Sequence, residues 1–212
     1  MKKIMTGIAL ICSLTVLAAC QKQDNSKTAS SNVTSLLSSS SSSTNTKALK
    51  VRQDFDKIKL GTSANNFTDG TKLAQLKTYF GEPSSHKQEK PESGDITLDV
   101  YNWTVEGVSV EVKLYKDSVL VRSIQGFSYG RQATITKADF DQVKNGATYK
   151  DLVNKFGSPD SFSEAASSDK VELQAVWYSN VKSSSENSQG QMVLQFTNNK
   201  LTEKDQSGMA KK

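Results

Sequence analysis

Beyond residue 51, apolar and polar positions follow two rhythms, and both occur twice in the same order. Leu73, Leu76 and Phe80 recur at i, i+3 and i+7, as do Tyr149, Leu152 and Phe156, with Val153 widening the second stripe. That spacing puts each set on one face of a helix. Gly81 and Gly157 follow where a helix most readily stops, and Pro83 and Pro159 forbid continuation. Thr148-Tyr-Lys-Asp is a capping-box start, and Thr136 with Asp139 is a weaker one. Short first helices are expected at Asp54–Leu60 and Lys137–Lys144, each closed by a left-handed glycine, Gly61 or Gly146. After each helix pair the period drops to two. Val110, Val112 and Leu114 alternate with Ser109, Glu111, Lys113 and Tyr115, and Met192, Leu194 and Phe196 alternate with Gln191, Val193, Gln195 and Thr197. Strands are expected at Ile96–Val105, Ser109–Tyr115, Val119–Ile124, Val171–Val181, Gln191–Thr197 and Lys200–Gln206. In the first of these, Tyr101 and Trp103 share one face while Leu98 and Val100 take the other. An antiparallel sheet with one solvated face and helices on the other satisfies all of this, which is the α+β class.

The rhythm recurs because the sequence does. Phe55-Asp-Lys-Ile-Lys-Leu-Gly61 is echoed by Phe140-Asp-Gln-Val-Lys-Asn-Gly146, and Leu73 to Pro83 by Tyr149 to Pro159. Leu114…Gly126-Phe127 is echoed in turn by Phe196…Gly208-Met209. The offsets differ because the first copy carries an insertion in the 63–70 stretch. Each copy is near the size where a lone core is marginal, so the two are expected to pack together.

One known architecture shares this order of helix, Gly, helix ending Phe-Gly-x-Pro, strand with Trp and closing hairpin. Ile135 to Gly146, Thr148 to Pro159 and Phe196-Thr-Asn-Asn-Lys-Leu201 carry the likeness. The chain resembles the β-lactamase inhibitor protein and its relatives, which include uncharacterised bacterial lipoproteins with two tandem copies. The resemblance implies two tandem helix-helix-β-meander repeats, helices on one face of a joined concave sheet, and an open face available to a protein partner. The inhibitor's contact loops have no recognisable match here, so no inhibitory residue is carried over.

The N-terminus reads as an address. Met1-Lys-Lys precedes an uncharged apolar run from Ile4 to Ala19, too short and too terminal for a membrane span. Leu17-Ala-Ala-Cys20 resembles the lipobox of bacterial lipoproteins, which makes Cys20 the expected lipidation site and first mature residue. Two or more acyl chains give stable anchoring to the membrane. Cys12 departs with the signal, so no free thiol or disulfide remains. Residues 20–50 contain an unbroken serine run, Ser38 to Ser43, and are expected to be a disordered tether with an average reach of roughly 30 Å. The expected layout is thus a signal at 1–19, the tether at 20–50, and repeats at 51–130 and 131–212.

Loss of Lys2 and Lys3 takes the formal charge from +5 to +3, with 25 basic against 22 acidic residues. The excess is scattered and lacks the basic stripe of a nucleic-acid binder. His86, the single histidine, falls in a Pro- and Lys-rich loop and reads as solvated. With no second histidine and no mature thiol, neither a metal centre nor a catalytic triad is expected. Asp54/Asp56 and Asp139/Asp141 are explained by helix N-termini, and Asp69-Gly70 by a turn. Trp103 and Trp177, in corresponding strands, read as paired core residues. Tyr115 shares its strand face with Glu111 and Lys113 and so reads as an exposed anchor for a partner. The expected function is a non-enzymatic, cofactor-free, lipid-anchored module on the outer side of a bacterial cell membrane. It binds an envelope or secreted protein through the open sheet face and the groove between the two repeats, with Glu111, Lys113, Tyr115, Tyr178, Gln191 and Gln195 as contributors. The alternatives are an envelope assembly scaffold and, with less support, a cell-wall hydrolase.

Overall fold

A computed structural model describes residues 40–91, 96–127, 135–182 and 189–209. The expected signal, Cys20, the tether up to residue 39 and the expected boundary at 130/131 lie outside them. Eight strands form one antiparallel sheet, and each pairs with its neighbour in sequence. They are β1 (Ser85–Glu89), β2 (Leu98–Val105), β3 (Val108–Tyr115), β4 (Ser118–Gln125), β5 (Ser161–Ala166), β6 (Val171–Lys182), β7 (Gln189–Thr197) and β8 (Lys200–Ser207). The helices are α1 (Ser40–Phe55), α2 (Leu73–Phe80), α3 (Lys137–Gln142) and α4 (Tyr149–Phe156). The fold is α+β with an open sheet.

Six strands and the helices α2 and α4 fall where the alternation predicts them. Two strands, β1 and β5, lack an apolar alternation to announce them. The sequence Ser-His-Lys-Gln-Glu of β1 is polar on both faces, so His86 belongs to an edge strand rather than a loop. The first helix also differs. It runs to Phe55 instead of starting near it, and the serine run is helical from Ser40. Tertiary burial overrides weak local propensity here: Val51, Phe55 and, just past the helix, Ile58 are buried in the core. Asp54 and Asp56 therefore sit at the end of α1, not at an N-terminus. Lys50 and Lys57 both bind Asp54, and Arg52 binds Asp56. Burial works against the charge on Asp54, yet those two ammonium groups hold its carboxyl below the usual range. Helix α3 stops at Gln142 because Val143 turns extended and buries its side chain. Gly61 does not close a helix. It is glycine because a Cβ there would lie 2.6 Å from the Phe67 carbonyl oxygen.

The register assigns the two faces. Trp103, Val110 and Ile124 lie in one cross-strand row and point into the core beneath α1 and α2. Trp177 and Met192 do the same beneath α3 and α4. The two tryptophans are fully buried, as expected. Each indole N–H donates to the glycine carbonyl that ends the neighbouring helix, Trp103 to Gly81 and Trp177 to Gly157, both at 2.9 Å. The turns match as well. Lys116-Asp117 and Asn198-Asn199 have positive φ throughout, as a two-residue type I′ hairpin requires. The second residue of each turn then accepts from the first N–H of a helix, Asp117 from Leu73 at 3.0 Å and Asn199 from Tyr149 at 3.3 Å.

Two cores meet at the β4–β5 seam. Tyr149 and Leu173 pack against both. From α1, Phe55 meets Phe162 of β5 edge-on at 5.8 Å, and Arg52 donates to the Pro159 carbonyl at 3.1 Å. The phenol of Tyr149 is pushed up to about 12 by burial. A third, smaller cluster of Leu98, Leu120, Val121 and Ala165 lies on the opposite side of the sheet, with Phe67 packed against it. The 63–70 insertion delivers that ring.

The insertion is tied by Asp69, whose carboxylate accepts from the Thr62 N–H at 2.7 Å, the Thr62 hydroxyl at 2.8 Å and Asn65 Nδ2 at 2.8 Å. These bonds, led by the backbone one, lower its pKa to about 2. A depressed carboxyl contributes stability above its ordinary value of 3.8 and loses it as pH falls towards about 2. Melting temperature followed through that window is expected to fall further for the wild type than for Asp69→Asn. Parallel acid limbs would show that the loop bonds carry no stability.

Candidate functional site

The face turned away from the helices carries one row of polar side chains through all eight strands. Ser85 pairs with Asn102, Asn102 with Glu111, and Glu111 with Ser123. Ser123 pairs with Ser163 across the seam, Ser163 with Gln174, Gln174 with Gln195, and Gln195 with Glu203. At ~4.8 Å per strand the row is roughly 34 Å long. It is legible only from the register, because its members stand at unrelated sequence positions on strands of which two were not foreseen.

All six sequence-selected residues occupy this face. Glu111 and Gln195 stand in the row itself, four strands or roughly 19 Å apart. Lys113 and Tyr115 lie successively farther along β3 towards its turn, whereas Tyr178 and Gln191 pair with each other two rungs along the opposite way. They form two groups, one per half. Their environments are less open than expected. Of the six, only Gln195 is exposed, and the other five are partly buried. Lys113 Nζ is committed to Glu89 Oε1 at 2.8 Å and lies 4.0 Å from Glu111. That bond holds the Glu89 carboxyl below its usual range. Tyr115 packs against the small cluster with Phe67 and is capped by Lys116, 4.9 Å from the ring centre, so it is a half-buried wall rather than a free anchor. The backbone N–H of Tyr178 donates to Asp160 at 2.7 Å, and burial followed by the Asp160 charge raises its phenol.

Two features have residues or surroundings that the sequence does not announce: the setting of His86, and the lining of the groove between the halves. His86 stacks on Tyr101 at 4.3 Å and lies 3.0 Å from Asp99, on the helix side of the edge strand and away from the polar row. No cluster able to hold a metal occurs among the described residues. The second is a cleft of about 510 Å³ on the helix side of the seam, between the 58–63 segment and the β5–β6 turn. Arg122 and Glu164 pair within it at 2.7 Å. The guanidinium also donates to the Phe55 and Ile58 carbonyls and lies 5.2 Å from the ring centres of both Phe55 and Phe162. Such full engagement makes this arginine a fastener of the seam.

A crystal structure from Streptococcus mutans, of a candidate β-lactamase inhibitor protein, is similar at 42% identity. The alignment covers 76% of this chain and 98% of that one, with a TM-score of 0.67. No curated protein matches the chain. A family model, described as a domain of unknown function with solved structure (DUF3862), matches residues 47–209. The fold, the likeness and that match agree: the chain belongs to the DUF3862 family, and it is β-lactamase-inhibitor-protein-like.

Proposed function

We infer that the chain is a non-enzymatic protein-binding module, held at the outer face of a bacterial cell membrane by lipid on Cys20. Two tandem helix-helix-meander repeats build it, and the open face is the binding surface. The observation that carries this reading is the polar row across the eight strands, buried at Ser163 alone, with the six selected residues on the same face. The matching indole–glycine bonds and turn-to-helix caps in the two halves support the tandem organisation. Support for a protein partner comes from the likeness to the Streptococcus mutans protein, whose description is that of an inhibitor candidate.

The test is capture of envelope and secreted proteins by the chain from Gln21 to Lys212, beside a Tyr115→Ala/Glu111→Lys control. One protein retained by the wild type and lost by the control is the expected result, and its identity decides whether a β-lactamase is the target. Equal retention by both forms moves the weight to an assembly scaffold. In cells, Cys20→Ala is expected to release the protein from the membrane fraction. Persistence there would remove the anchor from the reading.

A further inference from the structure

We propose that the outer edge of β8 takes up an extended segment of a partner protein as a ninth strand, and that this segment carries an aromatic and an acidic residue two positions apart. The surface is separate from the open face, so the proposal stands beside the reading above and does not depend on it. Its ground is the correspondence between β8 and β4. The Gly61 N–H donates to the Val119 carbonyl at 2.7 Å, and the Gly146 N–H to the Leu201 carbonyl at 2.8 Å. Arg122 donates to the Phe55 and Ile58 carbonyls at 3.1 and 2.8 Å, and Lys204 to those of Phe140 and Val143 at 3.0 and 2.7 Å. Each cation also lies over the phenylalanine of its own half, Arg122 at 5.2 Å from the Phe55 ring centre and Lys204 at 4.6 Å from that of Phe140. The two strands are anchored alike.

They differ in what lies beside them. Strand β5 pairs with β4 and sets Phe162 against Phe55 at 5.8 Å and Glu164 against Arg122 at 2.7 Å. Past Leu201, no described strand pairs with β8 on the corresponding side. Phe55 is wholly buried, whereas its counterpart Phe140 is only partly covered. The half-buried ammonium of Lys204 hydrogen-bonds only to carbonyls among the described residues. What β8 lacks is the pair of side chains that β5 brings to β4. An inward-pointing lysine ordinarily deters pairing at a sheet edge. At the seam, the corresponding arginine sits under a paired strand because that strand supplies a carboxylate. Lys204 therefore turns away strands without an acid and admits those with one. The edge offers main-chain hydrogen bonds, and the two side chains supply the selectivity. The spacing of two follows because alternate residues of a strand face the same side.

Fluorescence anisotropy tests this, with the full chain in detergent micelles and a labelled peptide copying Ser161–Ala166, which is Ser-Phe-Ser-Glu-Ala-Ala. The peptide is expected to bind, and its Phe162→Ser and Glu164→Gln versions to bind about tenfold more weakly. These two arms leave the protein itself unchanged, so they decide the matter even where a protein variant fails to fold. In the protein, Lys204→Gln is expected to bind the parent peptide only as well as the wild type binds the Glu164→Gln peptide. Glu82→Gln, beside Lys77 in the other half, is expected to leave binding unchanged. Circular dichroism melts confirm that each variant is folded. Equal binding of the three peptides by the wild type, or binding of none, would overturn the proposal. So would self-association that Lys204→Gln abolishes while no peptide binds, because β1 of a second copy would then be the occupant. Envelope capture lost through the open-face control bears on the earlier reading alone.

Discussion

Alanine at Trp177 is expected to lower stability by about 3–5 kcal/mol, and alanine at Trp103 by a similar amount. Each indole is the largest buried side chain in its half, with 0% and 1% exposure respectively. Each also ties sheet to helix through its N–H bond to a glycine carbonyl. Phenylalanine separates the two contributions: it fills most of the volume but leaves the carbonyl unpaired, at a cost of about 1–3 kcal/mol. The expected order in urea unfolding is therefore alanine worse than phenylalanine at both positions. Each phenylalanine variant also leaves a single tryptophan, in the other half, so the pair of variants lets fluorescence follow the halves separately. Coincident midpoints are expected because Tyr149 and Leu173 belong to both cores. A loss below about 1 kcal/mol for either alanine variant would contradict the packing described.

The second large effect concerns the seam. Arg122→Ala leaves Glu164 without its counter-charge and removes the donor to two α1-side carbonyls. Breaking a buried pair from one side costs about 3–5 kcal/mol. The lower end is expected here, because both side chains keep some exposure, 15% and 18%. Replacing both partners, Arg122→Met with Glu164→Leu, is expected to recover most of the loss, since the desolvation cost disappears with the charges. The comparison is a chemical denaturation series on the wild type and these two variants. A double variant no better than Arg122→Ala would mean that the bonds to Phe55 and Ile58, not the ion pair, hold the seam.

Much of this architecture was open to reading because its periods are local. A stripe at 73, 76 and 80, a glycine and a proline define α2 without reference to anything distant, and the same holds for α4 and for the alternating strands β3 and β7. Failures occurred where a distant contact decides the structure. Polar β1 is a strand because β2 supplies its pairing. The serine-rich start of α1 takes its order from Val51 and Phe55, which find β3 and β5. Tyr115 was judged from its strand neighbours, and the ring of Phe67, delivered by an insertion from 48 residues upstream, changes its surroundings. The site divides in the same way. Alternation identified which face Glu111 and Gln195 occupy, but their membership of one row needed four registers, none of them written in the residues themselves.

Helix α1 has a mechanical meaning beyond its share of the core. It enters from Ser40, and its last turns grip both sides of the seam, Arg122 of β4 through the Phe55 carbonyl and Pro159, just before β5, through Arg52. Tension applied through the N-terminal chain therefore enters at the middle of the eight-stranded sheet and is shared between its halves, instead of peeling a strand from one end.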